Sequence, residues 1–136
     1  MISKELLSEK FKELAVKNGL VLGVLFGSQA TGKIHSQSDI DVGFVADRRL
    51  GLREIAEIQE NLMVATGYGN IEMVDLKNVP PLLLKQVADE GIFLYERELG
   101  DFDRLKIYGI KLYMEAKPLY QARALELKTF LLNYGK

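Results

Sequence analysis

The chain has 136 residues, no cysteine, and 18 Lys and Arg against 19 Asp and Glu. That length supports one hydrophobic core rather than two, and 48% apolar with 27% charged residues is an ordinary globular balance. Near-zero net charge disfavours a grip on long nucleic acid; the absence of cysteine excludes disulfides and suits a reducing cytoplasm. No run approaches the roughly 18 apolar residues of a membrane helix, and Met1-Ile2-Ser3-Lys4-Glu5 lacks the charged-then-apolar build of a signal peptide.

Taken in order, the spacing of Leu7, Phe11, Leu14, Ala15 and Asn18 predicts an amphipathic helix over 3–18. Ser3 caps its start, and Asn18-Gly19 ends it with a residue tolerant of positive φ. Leu20 to Phe26 is an apolar run of seven, the pattern of a buried strand. Gly27-Ser28-Gln29-Ala30-Thr31-Gly32 breaks it, and a short helix from Ser28 to about Gly32 would aim backbone N–H groups and a hydroxyl at a phosphate. Lys33-Ile34-His35-Ser36-Gln37 reads as a loop; Lys33 lies near that cradle in sequence, and His35 is either a nucleotide contact or a solvated loop histidine.

A second strand is expected from about Ser38 to Val45. Ser38-Asp39-Ile40-Asp41-Val42 puts two carboxylates on one strand face, about 7 Å apart along the backbone, with Ile40 and Val42 turned into apolar packing. Two such acids side by side are costly unless a cation sits between them, and Mg²⁺ favours carboxylate oxygens together with phosphate and water. A metal pair beside a phosphate cradle implies nucleotide chemistry. Arg48 and Arg49 close the strand, as phosphate contacts or as solvated surface. A helix follows over 50–66, with Leu52, Ile55, Gln59, Leu62, Met63 and Thr66 marking its packed side, then the turn Gly67-Tyr68-Gly69-Asn70.

Ile71 to Leu76 is a third strand carrying Glu72 and Asp75, which face opposite sides because they are three apart. Pro80-Pro81 opens a helix that ends at Glu90-Gly91, and Ile92-Phe93-Leu94-Tyr95 is a last strand. From about Glu98 to Tyr134 the pattern is helical, and Pro118 is expected to kink or divide it. Phe102, Tyr108, Tyr113, Tyr120, Phe130 and Tyr134 either close the back of the domain or meet a partner.

Gly27-Ser28, ten intervening residues, then Asp39-Ile40-Asp41 resembles the signature of the DNA polymerase β-type nucleotidyltransferase superfamily. The surrounding Gly-Ser-Gln-Ala-Thr-Gly and Ser-Asp-Ile-Asp-Val resemble its minimal nucleotidyltransferase (MNT) branch. The resemblance implies an α/β polymerase β-like fold: a small mixed sheet backed by helices over residues 1–97, with a helical segment over 98–136 within one domain. It implies Asp39, Asp41 and a third acid as catalytic and metal-holding residues. The family pattern places that third acid at Glu72, where aspartate is commoner, and leaves Asp75 at the strand exit. Gly27, Ser28, Lys33 and Ser38 become the expected nucleotide contacts, with two Mg²⁺ ions as cofactors and ATP as substrate. The resemblance further implies transfer of AMP to a tyrosine of a HEPN ribonuclease toxin, which would make the chain an antitoxin. A small-molecule nucleotidyltransferase of the aminoglycoside-modifying kind and a non-catalytic toxin-binding antitoxin are the alternatives.

Overall fold

In the computed structural model, residues 3–27 and 39–134 are described. The elements run α1 (Lys4–Asn18), β1 (Leu20–Phe26), β2 (Ile40–Ala46), α2 (Leu52–Thr66), β3 (Ile71–Asp75), a 3₁₀ turn (Leu76–Asn78), α3 (Pro81–Glu90), β4 (Ile92–Glu96) and α4 (Asp101–Tyr134). The strands form one four-stranded sheet in the order β3-β2-β1-β4. β1 pairs antiparallel with β2 and β4, and β2 pairs parallel with β3, so the sheet is mixed as expected. The parallel pair needs a crossover, which α2 supplies.

Each face of the sheet has its own core. Leu7, Phe11 and Ala15 of α1 and Ile58 and Leu62 of α2 pack on Leu20, Leu25, Ile40, Val42, Phe44, Ile71 and Met73. Ser3 caps α1 by accepting from the Leu6 N–H at 3.1 Å, and Gly19 closes it at φ 71°. The Phe11 ring lies directly over Gly23 of β1; a Cβ there would sit 2.3 Å from Cε1. That glycine therefore makes room for the largest side chain of α1. On the opposite face, Leu22, Val24 and Phe26 of β1 meet Leu76, Leu84 and Val87, and Phe102 of α4 completes the cluster.

Two expectations are corrected. On α2 the packed side runs through Ile55, Ile58, Leu62 and Met63, as expected except at its start, where Leu52 is 88% exposed. Leu52 is the first residue of the helix, capped by Gly51, and lies beyond the edge of the core. At Pro118 the helix does not divide; α4 is continuous over 34 residues. The carbonyl deprived of its partner belongs to Met114, which is 66% exposed, so water can replace the lost bond. The aromatic residues of α4 differ in their surroundings. Phe102 is buried, 6.1 Å from Phe93 between ring centroids, whereas Phe130 and Tyr134 lie exposed against each other at 5.6 Å.

Candidate active site

Of the expected site residues, Gly27, Asp39, Asp41 and Glu72 gather where β1 leaves the sheet and β2 and β3 enter it. Asp41 is opposite Phe26 of β1 in the antiparallel ladder and beside Glu72 of β3 in the parallel one. Paired residues in a sheet project to the same face, so the Asp41 and Glu72 carboxylates are neighbours. Asp39 lies just ahead of β2 rather than within it, and is exposed. Ile40 and Val42 are fully buried on the other face, which fixes the register and hence the direction of Asp41.

Gly27 closes the site on the β1 side. It has φ 79°, a conformation that favours glycine, and a Cβ there would approach the Asp41 Oδ2 to 2.5 Å. Both the turn and the acid beside it therefore require a residue without a side chain. On the β3 side, the Ile40 N–H donates to the Asn70 carbonyl oxygen at 2.7 Å, tying the start of β2 to the turn before β3. β3 is an edge strand, and the Met73 N–H on its outer edge donates to Gln59 Oε1 of α2 at 2.8 Å. Asp39, Gln59, Met63, Gly69, Asn70 and Glu72 bound a cleft of about 260 Å³ there. Sequence reading placed Gln59 on the packed side of α2 but missed this hold on β3 and the cleft altogether. A polar residue at a packed helix position was the available signal.

The electrostatics follow from this crowding. Partial burial, then the Glu72 charge, then the Asp39 charge raise the Asp41 pKa above the ordinary carboxylate value. Among the described residues no three Asp, Glu or His side chains close into a ready-made metal cage. Even so, oxygen-only donors that repel one another suit a hard divalent cation, and Asp39, Asp41 and Glu72 could hold one.

Asp75 does not join them. Its Oδ1 accepts from the Lys77 N–H at 3.0 Å and its Oδ2 from Asn78 Nδ2 at 3.0 Å, so it caps the 3₁₀ turn. Arg48 and Arg49 follow the far end of β2, across the length of the sheet from Asp41. Arg48 there pairs with Glu54 at 2.7 Å, so a phosphate role at this site is ruled out for it by position. Ser28, Lys33, His35 and Ser38, with the expected short helix over 28–32, lie outside the described residues.

Comparison with known proteins agrees with this architecture. The curated protein adenylyltransferase MntA of Aphanizomenon flos-aquae (strain 2012/KM1/D3) is 27% identical over 124 residues, covering 82% of this chain and 81% of that one. A solved toxin–antitoxin structure with AMP-PNP superposes with a TM-score of 0.78 at 27% identity, covering 89% of this chain and 98% of its own. The MNT antitoxin solved in complex with a tri-AMPylated Shewanella oneidensis HEPN toxin has the same fold, with a TM-score of 0.75 at 24% identity over 93% of this chain and 99% of its own. The profile of the polymerase beta nucleotidyltransferases matches residues 9–99, from the middle of α1 past β4, and the chain belongs to that family.

Proposed function

We propose that the chain is a Mg²⁺-dependent protein adenylyltransferase that moves AMP from ATP to a tyrosine hydroxyl of a HEPN-type toxin and thereby acts as its antitoxin. The observation that carries this reading is the pairing of Asp41 with Glu72, with Asp39 beside them and Gly27 against Asp41. Support also comes from relatives whose names describe protein adenylylation and toxin–antitoxin assembly with a nucleotide analogue.

In this reading Asp39, Asp41 and Glu72 hold the metal, and Gly27 leaves room for the nucleotide phosphates beside Asp41. Bound divalent cations would neutralise phosphate charge and ease ionisation of the acceptor hydroxyl. Glu72, exposed at the cleft, accepts the phenolic proton. The phenolic oxygen forms its bond to the α-phosphorus as the bond from that phosphorus to the bridging oxygen breaks, and pyrophosphate carries away the electron pair. The added phosphate places negative charge on the toxin, where it would repel RNA.

Incubating the neighbouring-gene HEPN-type protein with this chain, ATP and Mg²⁺ tests the reading by intact mass. AMP-sized mass gains on the toxin, located to tyrosine and lost with Asp41→Asn, are the expected result. An unmodified toxin after incubation with a folded, ATP-binding preparation refutes it. Suppression of toxicity without any mass gain would indicate a purely binding antitoxin, and no association with the toxin at all would point to a small-molecule acceptor.

A further inference from the structure

The end of the sheet away from the acids carries a second concavity. Leu22 and Val45 pair there across β1 and β2, four residues along β1 from the Phe26–Asp41 pair, or about 14 Å at the usual strand rise. The ladder takes in one extra residue at this point: Leu20 pairs with Ala46 and Leu22 with Val45, so Val21 bulges between them. Adjacent strand residues ordinarily face opposite sides, yet at the bulge Val21 and Leu22 line the same pocket, of about 430 Å³. The Arg97 N–H holds the bulge by donating to the Val21 carbonyl oxygen at 2.8 Å. We propose that this pocket binds a small organic monoanion, a flat ring system of about indole size bearing one carboxylate.

Val21, Leu22, Val45 and Leu76 give the pocket an apolar lining, and one face of α4 forms its wall. Asp101, Arg104, Leu105 and Tyr108 stand at i, i+3, i+4 and i+7, so all four turn toward it. That wall is anchored: Phe102 is in the core, and the Glu96 carboxylate accepts from the Phe102 N–H at 3.0 Å. The volume falls within the ~300–1,000 Å³ of small-ligand pockets, which are mostly apolar with a few polar groups that fix orientation. Here those groups favour an anion. Lys77 of the 3₁₀ turn and Arg104 of α4 stand against the single carboxylate of Asp101, so the described lining has a net charge of +1. Asp101 engages one Arg104 nitrogen and Lys77 donates to the Ala46 carbonyl oxygen, which leaves further N–H donors on both cations for a carboxylate. The largely exposed Tyr108 ring supplies a flat surface for stacking. A net charge of +1 suits a monoanion and not a triphosphate, which separates this pocket from the nucleotide chemistry proposed at the acids.

Indole-3-acetate and its neutral analogue indole-3-acetamide test this on the full chain by two-dimensional amide NMR. The acid should give saturable shifts centred on Val21, Leu22, Val45, Leu76 and Leu105, with a Kd of about 1 mM or below. The amide should bind about fivefold more weakly, the worth of one exposed charge pair. The double change Lys77→Gln with Arg104→Gln alters exposed cations alone, and should lower the acid to the affinity of the amide while the amide binds as before. Val21→Trp, which fills the pocket from the bulge, should abolish binding of both probes, with an unshifted thermal midpoint reporting an intact fold. No saturable shift at these residues, equal affinity of acid and amide for the wild type, or shifts spread along the exposed face of α4 would each overturn the proposal. Displacement of the acid by one equivalent of AMP-PNP would overturn it in favour of a nucleotide site, and displacement by the HEPN-type toxin in favour of a protein interface.

Discussion

Replacing Gly27 with alanine perturbs the backbone and the acid site at once, and the two effects can be separated. At φ 79° an alanine pays about 1–2 kcal/mol for the left-handed conformation. Its Cβ would also lie 2.5 Å from the Asp41 Oδ2, so the carboxylate must leave its rotamer at a further cost of about 0.5–1.5 kcal/mol. The sum, about 2.5 kcal/mol, corresponds to a thermal midpoint lower by about 10 °C in a domain of this size. In an Asp41→Ala background the second contribution vanishes, so Gly27→Ala should cost only the first. Urea unfolding of the four proteins, without metal, measures the difference as a coupling of about 1 kcal/mol, well above the ~0.3–0.5 kcal/mol scatter of independent sites. Transfer activity should fall further in Gly27→Ala than its lost stability explains, because the displaced group is the central acid. Additive costs in the cycle would refute the claim that Gly27 is required by Asp41 rather than by the turn alone.

Asp39→Asn and Asp41→Asn should each abolish AMP transfer while keeping the metal-free thermal midpoint equal to or slightly above wild type, since each removes one of three repelling charges; retained transfer would defeat the metal assignment. The sign of the pH dependence follows from Asp41, whose folded pKa is raised above the unfolded value. Ionising it costs folding stability above that folded pKa, the penalty fades as pH falls through it, and Asp41→Asn should remove this component from metal-free pH–stability curves. Glu72→Gln should cut transfer severely yet leave AMP-PNP binding intact, as measured by single-turnover rates beside calorimetry. Asp75→Ala should do the reverse of a catalytic change, costing about 1 kcal/mol by loss of the Lys77 cap with transfer nearly unaffected.

Much of this was legible because it rested on short-range pattern. Seven apolar residues in a row could only be a buried strand, and the alternation of Asp39, Ile40, Asp41 and Val42 stated which side would be dry. Parity likewise put Glu72 and Asp75 on opposite faces, the family resemblance chose Glu72 between them, and the structure gave Asp75 a capping role. What escaped depends on contacts between distant segments. Whether Arg48 could reach the acids was a matter of which end of β2 it followed and of Glu54 waiting there, neither of which a local pattern reveals. Leu52 misses the packed stripe because, at the first position of its helix, it overhangs the edge of the surface that Ile55, Ile58 and Leu62 cover. Gln59 reads as one more packed position until an edge strand with an unanswered N–H is laid beside it. Pro118 promised a break by intrinsic preference, but it falls in an exposed stretch of helix, where water can answer the carbonyl left without its partner.

Helix α4 has two stabilities along one axis. It is about 51 Å long at the usual rise, and only its first half has anything to lean on: Phe102 is in the core, and Gly109 packs close enough to Leu84 that a Cβ would sit 3.1 Å from it. Residues 121–134 are exposed throughout. A free peptide of that length would barely be helical, and here it is helical because the anchored half has already met the cost of nucleation. Amide hydrogens along this one element should therefore exchange on a gradient, slow near Gly109 and fast toward Tyr134, and heating should unwind the far end before the sheet lets go. Helix content and tertiary signals would then report different midpoints for the isolated chain, so a single two-state free energy does not describe it. Anything that grips the far half adds the missing lateral support, and the two midpoints should draw together when it does.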